Sequence, residues 1–187
     1  MVNHDGSINS NYGYHIFGEV NQYDVVIKKL VSDKDSRQAT MMILNSEHLK
    51  AETKDVPCTY SINFRIRENK LNMTVRMRSQ DAIYGFGNDI PTFSFIHEML
   101  LNSLQEFYPE LQYGLYHHSV DSFHIYEKHF KMIESIINDD EFIDISCPEI
   151  FNSDEVKFLR KYEFDNIPSN FIFTRWLTNY ESKDNNN

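Results

Sequence analysis

The segment from Asp55 to Asp89 constrains the fold more than any other part of the chain. Within it, apolar residues alternate with polar ones in two runs, the first containing Ile62, Phe64 and Ile66 and the second Leu71, Met73, Val75 and Met77. Polar residues at 68–70 separate the two runs. Because a period of two is typical of a half-buried strand, the segment predicts a two-stranded antiparallel hairpin with one apolar face.

Helix and strand patterns surround this hairpin. Apolar residues at helical spacing predict amphipathic helices at 21–31, 91–107 and 122–138, the second of them beginning at Pro91. Short apolar runs predict strands at 39–44 and 113–119, and the aromatic residues of 12–18 suit a turn packed on the core. In the last helix, the predicted inner side consists of Ile125, Phe130, Ile133 and Ile137.

The length and composition indicate one globular domain. The chain has 187 residues, of which 41% are hydrophobic, and this is enough for a core. We expect a flexible N-terminus at 1–11, a single domain at 12–180 and a disordered tail at 181–187. The sequence contains neither a run long enough to cross a membrane nor a secretory signal, which predicts a cytoplasmic location and two free thiols, Cys58 and Cys147.

The charge limits the class of ligand. A formal net charge of −10 argues against a general nucleic-acid surface. It still permits a nucleotide site, because a monophosphate needs only a few local cationic groups. The pair His117-His118 has no third ligand at convincing spacing, so we interpret both residues as structural and predict no metal site.

The two ends of the hairpin bring reactive side chains together. Cys58 opens the first strand, and Arg78, Ser79 and Asp81 follow the second, so these groups can surround one small anionic ligand. A thiolate is a strong nucleophile when a cation is close, and Arg78 is the candidate cation. In an isolated Pro-Cys-Thr, the better interpretation of Cys58 is a small buried hydrophobic residue, as most free cysteines are. The motifs that follow it in the sequence reverse this preference.

Several motifs around Cys58 resemble the thymidylate synthase superfamily, in particular its nucleotide 5-hydroxymethylase-like branch. The similar segments follow in family order over about residues 12–130, and they are 35–39, 57–59, 78–81, 85–90 and 124–129. The resemblance implies an α+β fold in which a mixed or antiparallel sheet, flanked by helices, packs against a second copy at a dimer interface. It also implies a transferase that acts on a pyrimidine nucleoside monophosphate (dCMP, CMP or dUMP).

The resemblance assigns a role to each candidate residue. Cys58 corresponds to the nucleophile that attacks C6 of the pyrimidine and so activates C5. Arg78 and Ser79 correspond to the pair that holds the 5′-phosphate, and Arg37 to an arginine that reaches the phosphate in the neighbouring subunit. His124 and Tyr126 correspond to the pair that binds the sugar 3′-hydroxyl. Their spacing of two favours an extended segment. Asp81 is expected to be structural, or to orient Arg78 or ordered water.

Asp89 bears on the choice of base. Thymidylate synthases have an asparagine at the matching position, which reads uracil, whereas a carboxyl group accepts a hydrogen bond from the amino group of cytosine. Asp89 therefore favours a cytidylate. Asn88 is adjacent, and a shift of one residue would restore a uracil reader, so both bases stay open.

Two hypotheses follow. Because the resemblance starts at about residue 12, we expect the family's N-terminal phosphate arginine and catalytic glutamate to be missing, and the C-terminal segment does not resemble the family's folate-closing tail. The first hypothesis is an enzyme that hydroxymethylates or methylates a cytidylate or dUMP, with 5,10-methylenetetrahydrofolate as the implied donor. The second is a shortened nucleotide-binding homologue without turnover, or one subunit of a complex that supplies the glutamate. The sugar, ribose or deoxyribose, stays open.

Overall fold

The computed structural model describes residues 8–50, 52, 54–139, 147–150, 152–161 and 164–184. The elements in chain order are α1 (Tyr12–Phe17), α2 (Gln22–Ser32), β1 (Thr40–Met42), α3 (Ser46–Lys50), β2 (Thr59–Arg67), β3 (Lys70–Met77), β4 (Gln80–Asp81), α4 (Tyr84–Gln105), β5 (Gln112–Val120), β6 (Phe123–His124), a 3₁₀ helix (Glu127–His129), α5 (Phe130–Ile137), α6 (Ser153–Lys161) and α7 (Ile172–Asp184).

The predicted hairpin is confirmed. β2 and β3 pair antiparallel, with Phe64 opposite Met73 and Ile66 opposite Leu71. Glu68 and Asn69 form the two-residue loop and both have positive φ, at 51° and 58°. Positive φ at both loop residues is the conformation that matches the twist of a tight hairpin, and asparagine adopts it at low cost.

The hairpin forms the centre of a mixed sheet, as predicted. The strand order is β1-β2-β3-β5. β2 pairs antiparallel with both β1 and β3, whereas β5 pairs parallel with β3. A bulge interrupts the β3 and β5 pairing near Gly114, where an added Cβ would lie 2.4 Å from the carbonyl oxygen of Leu71. Only glycine fits such a close approach of two backbones.

One face of the sheet carries the core. The inward residues of β2 and β3, which are Ile62, Phe64, Ile66, Leu71, Met73, Val75 and Met77, are at most 2% exposed. They form one cluster with buried residues of α2 and α4, among them Tyr23, Leu30, Ile96 and Leu100. Burial of large apolar side chains contributes about 1.5–3 kcal/mol each, so this face provides much of the stability. The opposite face carries polar side chains, including exposed Arg65, Arg67 and Arg76.

The long helix begins earlier than predicted. α4 starts at Tyr84, and Pro91 lies inside it rather than at its first turn. The carboxylate of Asp81 accepts hydrogen bonds from the backbone N–H groups of Tyr84, at 2.7 Å, and Gly85, at 3.3 Å. These bonds satisfy donors that the first turn of a helix leaves unpaired, which stabilises a start seven residues before the proline. Position 89 is therefore helical.

The helix predicted at 122–138 is shorter. Residues 123–124 form β6, a 3₁₀ helix follows, and α5 occupies only Phe130–Ile137. β6 pairs with β4, with Asp81 opposite His124, and this non-local pairing keeps the segment extended. The inner side predicted for the helix is also wrong in large part, because Phe130 is 52% exposed and Ile137 is 75% exposed.

The two ends of the chain differ from expectation as well. Residues 12–17 form α1 rather than a turn, because the Asn11 side chain accepts a bond from the N–H of Tyr14 at 3.0 Å and caps the helix. α7 continues to Asp184, so part of the predicted disordered tail is helical. In the part of the predicted flexible N-terminus that the structure describes, residues 8–11, Ser10 bonds to Asp55 at 2.5 Å. Residues 1–7 and 185–187 lie outside the described residues.

The last two helices pack against α4. Glu155 of α6 is fully buried and accepts hydrogen bonds from the N–H and hydroxyl of Thr174 in α7, at 2.8 and 2.9 Å. The ring of Phe173 stacks on Phe95 of α4 with centroids 5.0 Å apart. Among the described residues, no helix has the length and apolar character required to cross a membrane.

Candidate active site

A cavity of about 470 Å³ lies where β2 begins and β3 ends. We call it the Cys58 cavity, and it is lined by Ser10, Tyr12, Lys54, Asp55, Val56, Cys58, Arg78 and Asp89. Three of the predicted site residues, Cys58, Arg78 and Asp89, therefore share one cavity, although Asp89 comes from a different element. A thiol, a guanidinium and a carboxyl group face the same small volume.

The hairpin places Arg78 next to Cys58. The backbone N–H of Arg78 donates to the carbonyl oxygen of Cys58 at 2.9 Å, which extends the pairing of β2 and β3 by one residue. The guanidinium donates to the carbonyl oxygens of Pro57, at 3.2 Å, and Val56, at 2.9 Å. Arginine has five N–H donors in a fixed plane, so this anchored side chain keeps donors for an anion in the cavity.

Tyr12 is a cavity residue that the sequence interpretation missed. Its hydroxyl oxygen accepts hydrogen bonds from the backbone N–H of Thr59, at 3.2 Å, and from the Thr59 hydroxyl, at 3.0 Å. Burial raises the pKa of Tyr12, and Asp89 and Cys58 act in the same direction, while the bonds from Thr59 oppose them. The phenol is therefore neutral near pH 7, and its own O–H can donate to a ligand.

Asp89 is the partly buried carboxyl group of the cavity. Burial raises its pKa, and the bond that Gln80 Nε2 donates to Oδ2, at 3.0 Å, acts in the opposite direction. The neighbouring Asn88 is exposed and donates to the backbone oxygen of Tyr84 at 2.6 Å. Asn88 does not line the cavity, so of the two adjacent candidates only Asp89 is in a position to read a bound base.

Asp81 is structural in this fold, and the alternative in which it orients Arg78 is not supported, because the hydrogen bonds of the Arg78 guanidinium go to Pro57 and Val56. The Oδ2 atom of Asp81 accepts the two backbone bonds that start α4, while its Oδ1 atom is buried without a hydrogen-bond partner among the described residues. Ser79 lies between Arg78 and β4 and is partly buried. Neither Ser79 nor Asp81 lines the Cys58 cavity, but both directly follow Arg78.

His124 and Tyr126 lie beside the segment that contains Arg78 to Asp81. The N–H of Ala82 donates to the carbonyl oxygen of His124 at 2.9 Å, and the His124 and Tyr126 rings meet edge to face with centroids 5.0 Å apart. Tyr126 has extended backbone, with φ −76° and ψ 139°, so the predicted extended segment is confirmed. The two side chains do not line the Cys58 cavity.

Arg37 lies elsewhere, on the outer face of the sheet. With Arg65, Arg67 and Arg76 it lines a second cavity of about 560 Å³, and we call these four residues the arginine face. Arg37 does not line the Cys58 cavity, so the structure does not bring it together with the other predicted phosphate ligands. Arg67 pairs with Asp35 at 3.5 Å.

The second thiol and the histidine pair lie apart from the cavity. Desolvation and the Glu98 carboxylate raise the pKa of Cys147, which favours the neutral thiol. His118 bonds to Tyr116 and Gln80 rather than to a metal site. In the part of the chain that the structure describes, no group of three or more metal-binding side chains occurs.

Comparison with known proteins gives one family. The family model for Thymidylate synthase matches residues 2–183. The deoxycytidylate 5-hydroxymethyltransferase of Enterobacteria phage T6 is 34% identical over 137 residues, which are 69% of this chain and 56% of that protein. The deoxyuridylate hydroxymethyltransferase of Bacillus phage SP01 is 33% identical over 114 residues, 59% of this chain and 28% of that protein.

A solved structure agrees at the level of the fold. Thermostable thymidylate synthase A from Bacillus subtilis superposes with a TM-score of 0.61 at 24% identity, covering 75% of this chain and 51% of that one. The chain spans about 56% of the length of the phage T6 relative. The match to residues 2–183 extends beyond the predicted range of 12–130 and does not support the prediction that the family's N-terminal region is missing.

Proposed function

Since the chain belongs to the thymidylate synthase family, we propose that it transfers a one-carbon unit to C5 of a pyrimidine nucleoside monophosphate through a covalent adduct at Cys58. The observation that carries this proposal is the shared cavity of Cys58, Arg78 and Asp89. It combines a nucleophile, a cation for the phosphate and a polar reader for the base. These are three of the groups that such a reaction needs, and a proton relay is the fourth.

Each residue has a defined task in this scheme. The Cys58 thiolate bonds to C6 of the pyrimidine, and the displaced electron pair makes C5 nucleophilic. Arg78, anchored on two carbonyl oxygens, binds the 5′-phosphate together with Ser79. The Tyr12 hydroxyl, which Thr59 orients, lies in the same cavity and can exchange a proton with the ring or with bound water. His124 and Tyr126 bind the sugar.

For the base, we favour a cytidylate. Oδ2 of Asp89 is occupied by Gln80, which leaves Oδ1 for the ligand. An ionised oxygen accepts a bond from the 4-amino group of cytosine, whereas it meets only another acceptor at O4 of uracil. A relative named for deoxycytidylate and one named for deoxyuridylate both align with this chain.

The residues near Asp89 fit a folate. When bound, methylenetetrahydrofolate supplies the one-carbon unit. A pterin has a flat aromatic face and an edge of N–H donors. The buried Oδ1 of Asp81, which has no hydrogen-bond partner in the part of the chain that the structure describes, can accept from such a donor, and the ring of Phe86, one helical turn before Asp89, is 41% exposed. Phe86 also contacts Phe123, at 5.7 Å between centroids, which extends the aromatic surface.

We also propose a homodimer in the cytoplasm that shares its active sites. The arginine face is exposed and lies outside the Cys58 cavity, which supports a scheme in which Arg37 contacts the phosphate bound in the partner's cavity. Light scattering at micromolar concentration should therefore give twice the chain mass of 22.2 kDa, and a monomeric mass would contradict the shared role.

Subunit mixing tests the shared site directly. Inactive Cys58→Ala chains and weakened Arg37→Gln chains, mixed in equal amounts and allowed to exchange, should recover about a quarter of the wild-type activity. Half of the dimers are then hybrids, and each hybrid has one intact site. A mixture no more active than its two components would place Arg37 outside the site.

A second candidate is a nucleotide-binding protein without turnover. Among the described residues that line the Cys58 cavity, none is a glutamate, and one of the two aspartates, Asp55, is already bonded to Ser10 at 2.5 Å. A proton relay in the cavity then depends on Tyr12, on Asp89 or on another chain.

One experiment separates these candidates. The protein is incubated with dCMP or dUMP tritiated at C5, with and without methylenetetrahydrofolate, and released tritium is counted. The enzyme should release tritium, and faster from dCMP. Mass spectrometry after incubation with 5-fluoro-dCMP should find the adduct on the peptide that contains Cys58. Binding of either nucleotide without release of tritium under any condition would favour the binding protein.

A further inference from the structure

A chain of hydrogen bonds leads from the edge of the sheet to the Cys58 cavity. The Tyr116 hydroxyl bonds to Nδ1 of His118 at 2.6 Å, and Nε2 of His118 bonds to Oε1 of Gln80 at 2.6 Å. Nε2 of Gln80 then donates to Oδ2 of Asp89 at 3.0 Å. Gln80 is 3% exposed, so its amide is held almost entirely by these two partners.

In the wild type, Asp89 determines which partner donates in each hydrogen bond of this series. A carboxylate can only accept, so Gln80 must present its NH₂ group to Asp89 and its carbonyl oxygen to His118. His118 then carries its proton on Nε2, and Nδ1 accepts from Tyr116. Desolvation lowers the pKa of His118, which keeps one ring nitrogen free of a proton, as this arrangement requires.

The same series of hydrogen bonds determines which hydrogen-bonding group residue 89 presents to a ligand. The Tyr116 hydroxyl donates to an imidazole nitrogen more strongly than it accepts from one, so His118 keeps its proton on Nε2 and Gln80 keeps its NH₂ group towards position 89 even when that residue is not a carboxylate. The atom of residue 89 that faces Gln80 is then an acceptor. In the wild type, both oxygens of Asp89 are acceptors and the remaining one meets the base. With an asparagine at position 89, the carbonyl oxygen would turn to Gln80 and the NH₂ group would face the base.

We infer that Gln80, held in one orientation by His118, is a positioning residue that determines which hydrogen-bonding group position 89 presents to the pyrimidine. The inference rests on the proposed function, because it takes the ligand of the Cys58 cavity to be a pyrimidine nucleoside monophosphate. It adds two residues, Gln80 and His118, to base selection, and neither of them lines the cavity.

Reversing the polarity of Gln80 tests this inference. Asp89→Asn alone should present NH₂ to the base and shift the ratio of dissociation constants towards dUMP by about ten-fold or more. Adding Gln80→Glu replaces the donor by an acceptor, which should rotate the new amide at position 89 so that its oxygen faces the base. The double variant should therefore return to a preference for dCMP.

The readout is calorimetric binding of dCMP and dUMP to four proteins: the wild type, each single variant and the double variant. Asn88→Asp, an exposed change at the next residue, is the matched control and should leave the ratio within about two-fold. If Gln80 has a purely structural role, its substitution should weaken the binding of dCMP and dUMP equally. A double variant that keeps the dUMP preference of Asp89→Asn would overturn the inference.

Failure of the proposed function gives a different result. If the Cys58 cavity is not a nucleotide site, the wild type binds neither nucleotide, and if it is a site without turnover, tritium release fails while the binding ratios still test the inference. Circular dichroism checks that each variant folds. If the double variant does not fold, His118→Leu replaces it. Without the N–H of His118 to hold its carbonyl oxygen, Gln80 is free to rotate, and the wild-type preference for dCMP should fall by about three-fold or more. An unchanged preference in His118→Leu would equally overturn the inference.

Discussion

The Cys58 cavity and the arginine face both present guanidinium groups in cavities of similar volume, about 470 and 560 Å³. They differ in what surrounds the positive charge. In the Cys58 cavity, the guanidinium of Arg78 is anchored on two carbonyl oxygens beside a thiol and a partly buried carboxyl group. The arginine face has four arginines but no thiol and no buried carboxyl group among its described lining residues.

This difference distinguishes a surface that attracts anions from a site that can carry out a reaction. Clustered guanidinium groups attract any anion, and exposure to water and salt weakens the interaction. A reactive site also needs a nucleophile and acceptors held in one orientation by buried hydrogen bonds. By this criterion the Cys58 cavity is suited to catalysis, and the arginine face is suited to contact with an anion or a second subunit.

The largest expected effect is the loss of the nucleophile. Cys58→Ala should lower C5 tritium release by roughly 10⁴-fold or more, because the whole reaction passes through the thiolate. The matched control is Cys147→Ala, which removes the thiol outside the cavity and should leave the rate within about two-fold. Equal losses in the two variants would show that the Cys58 cavity is not the reactive one.

The second prediction compares adjacent residues on opposite faces of β2. Phe64 is 1% exposed in the core, whereas Arg65 belongs to the arginine face. Phe64→Ala should lower the free energy of unfolding by about 3–5 kcal/mol, because it leaves a cavity in the core. Arg65→Ala should change it by about 0.5 kcal/mol or less. Urea unfolding measures both, and a large loss in Arg65→Ala would mean that the outer face is covered in solution.

The third prediction concerns phosphate. Arg78 and Arg76 are two residues apart but belong to different cavities. Arg78→Gln removes a charged hydrogen bond to the phosphate, worth about 1.5–3 kcal/mol, and should weaken dCMP binding by about 10- to 100-fold. Arg76→Gln should weaken it by about two-fold or less. If calorimetry finds the larger loss in Arg76→Gln, the phosphate binds on the arginine face.

Local patterns in the sequence predicted the scaffold of this site. The alternation in β2 and β3 was enough to give the hairpin, and the hairpin brings Cys58 and Arg78 together. Such alternation reports directly which side of a strand is buried, so the prediction needed no information on distant contacts.

What the sequence did not predict depends on contacts between distant residues. The early start of α4 depends on a cap from Asp81, and the extended backbone at His124 depends on pairing with β4. The bond from His118 to Gln80 joins residues 38 positions apart, and that from Thr59 to Tyr12 joins residues 47 apart. No local pattern contains such pairs, and Pro91 actively suggested a later helix start.

The last and smallest effect separates two aspartates of the site by pH. Burial raises the pKa of Asp89, while the bond from Gln80 opposes this only in part. For Asp81, desolvation acts to raise the pKa, but the backbone N–H groups of Tyr84, Ile83 and Gly85 outweigh it and the pKa is lowered. The two carboxyl groups should therefore contribute to stability in opposite directions.

A raised pKa in the folded state means that the contribution of Asp89 is fully present below the ordinary aspartate pKa, near 3.9, and is lost as the pH rises through the folded value. Asp89→Asn should then unfold at higher urea than the wild type at pH 7.

A lowered pKa means that the contribution of Asp81 is present above the ordinary value and is lost as the pH falls through the folded value. Asp81→Asn should therefore unfold at lower urea at pH 7. At about pH 3, below the ordinary aspartate pKa near 3.9, the difference for Asp89→Asn should vanish because the wild-type carboxyl group is protonated, and the difference for Asp81→Asn should begin to shrink because the unfolded chain takes up a proton there. Shifts of the same sign at pH 7 would mean that the environments of Asp81 and Asp89 do not differ as the structure indicates.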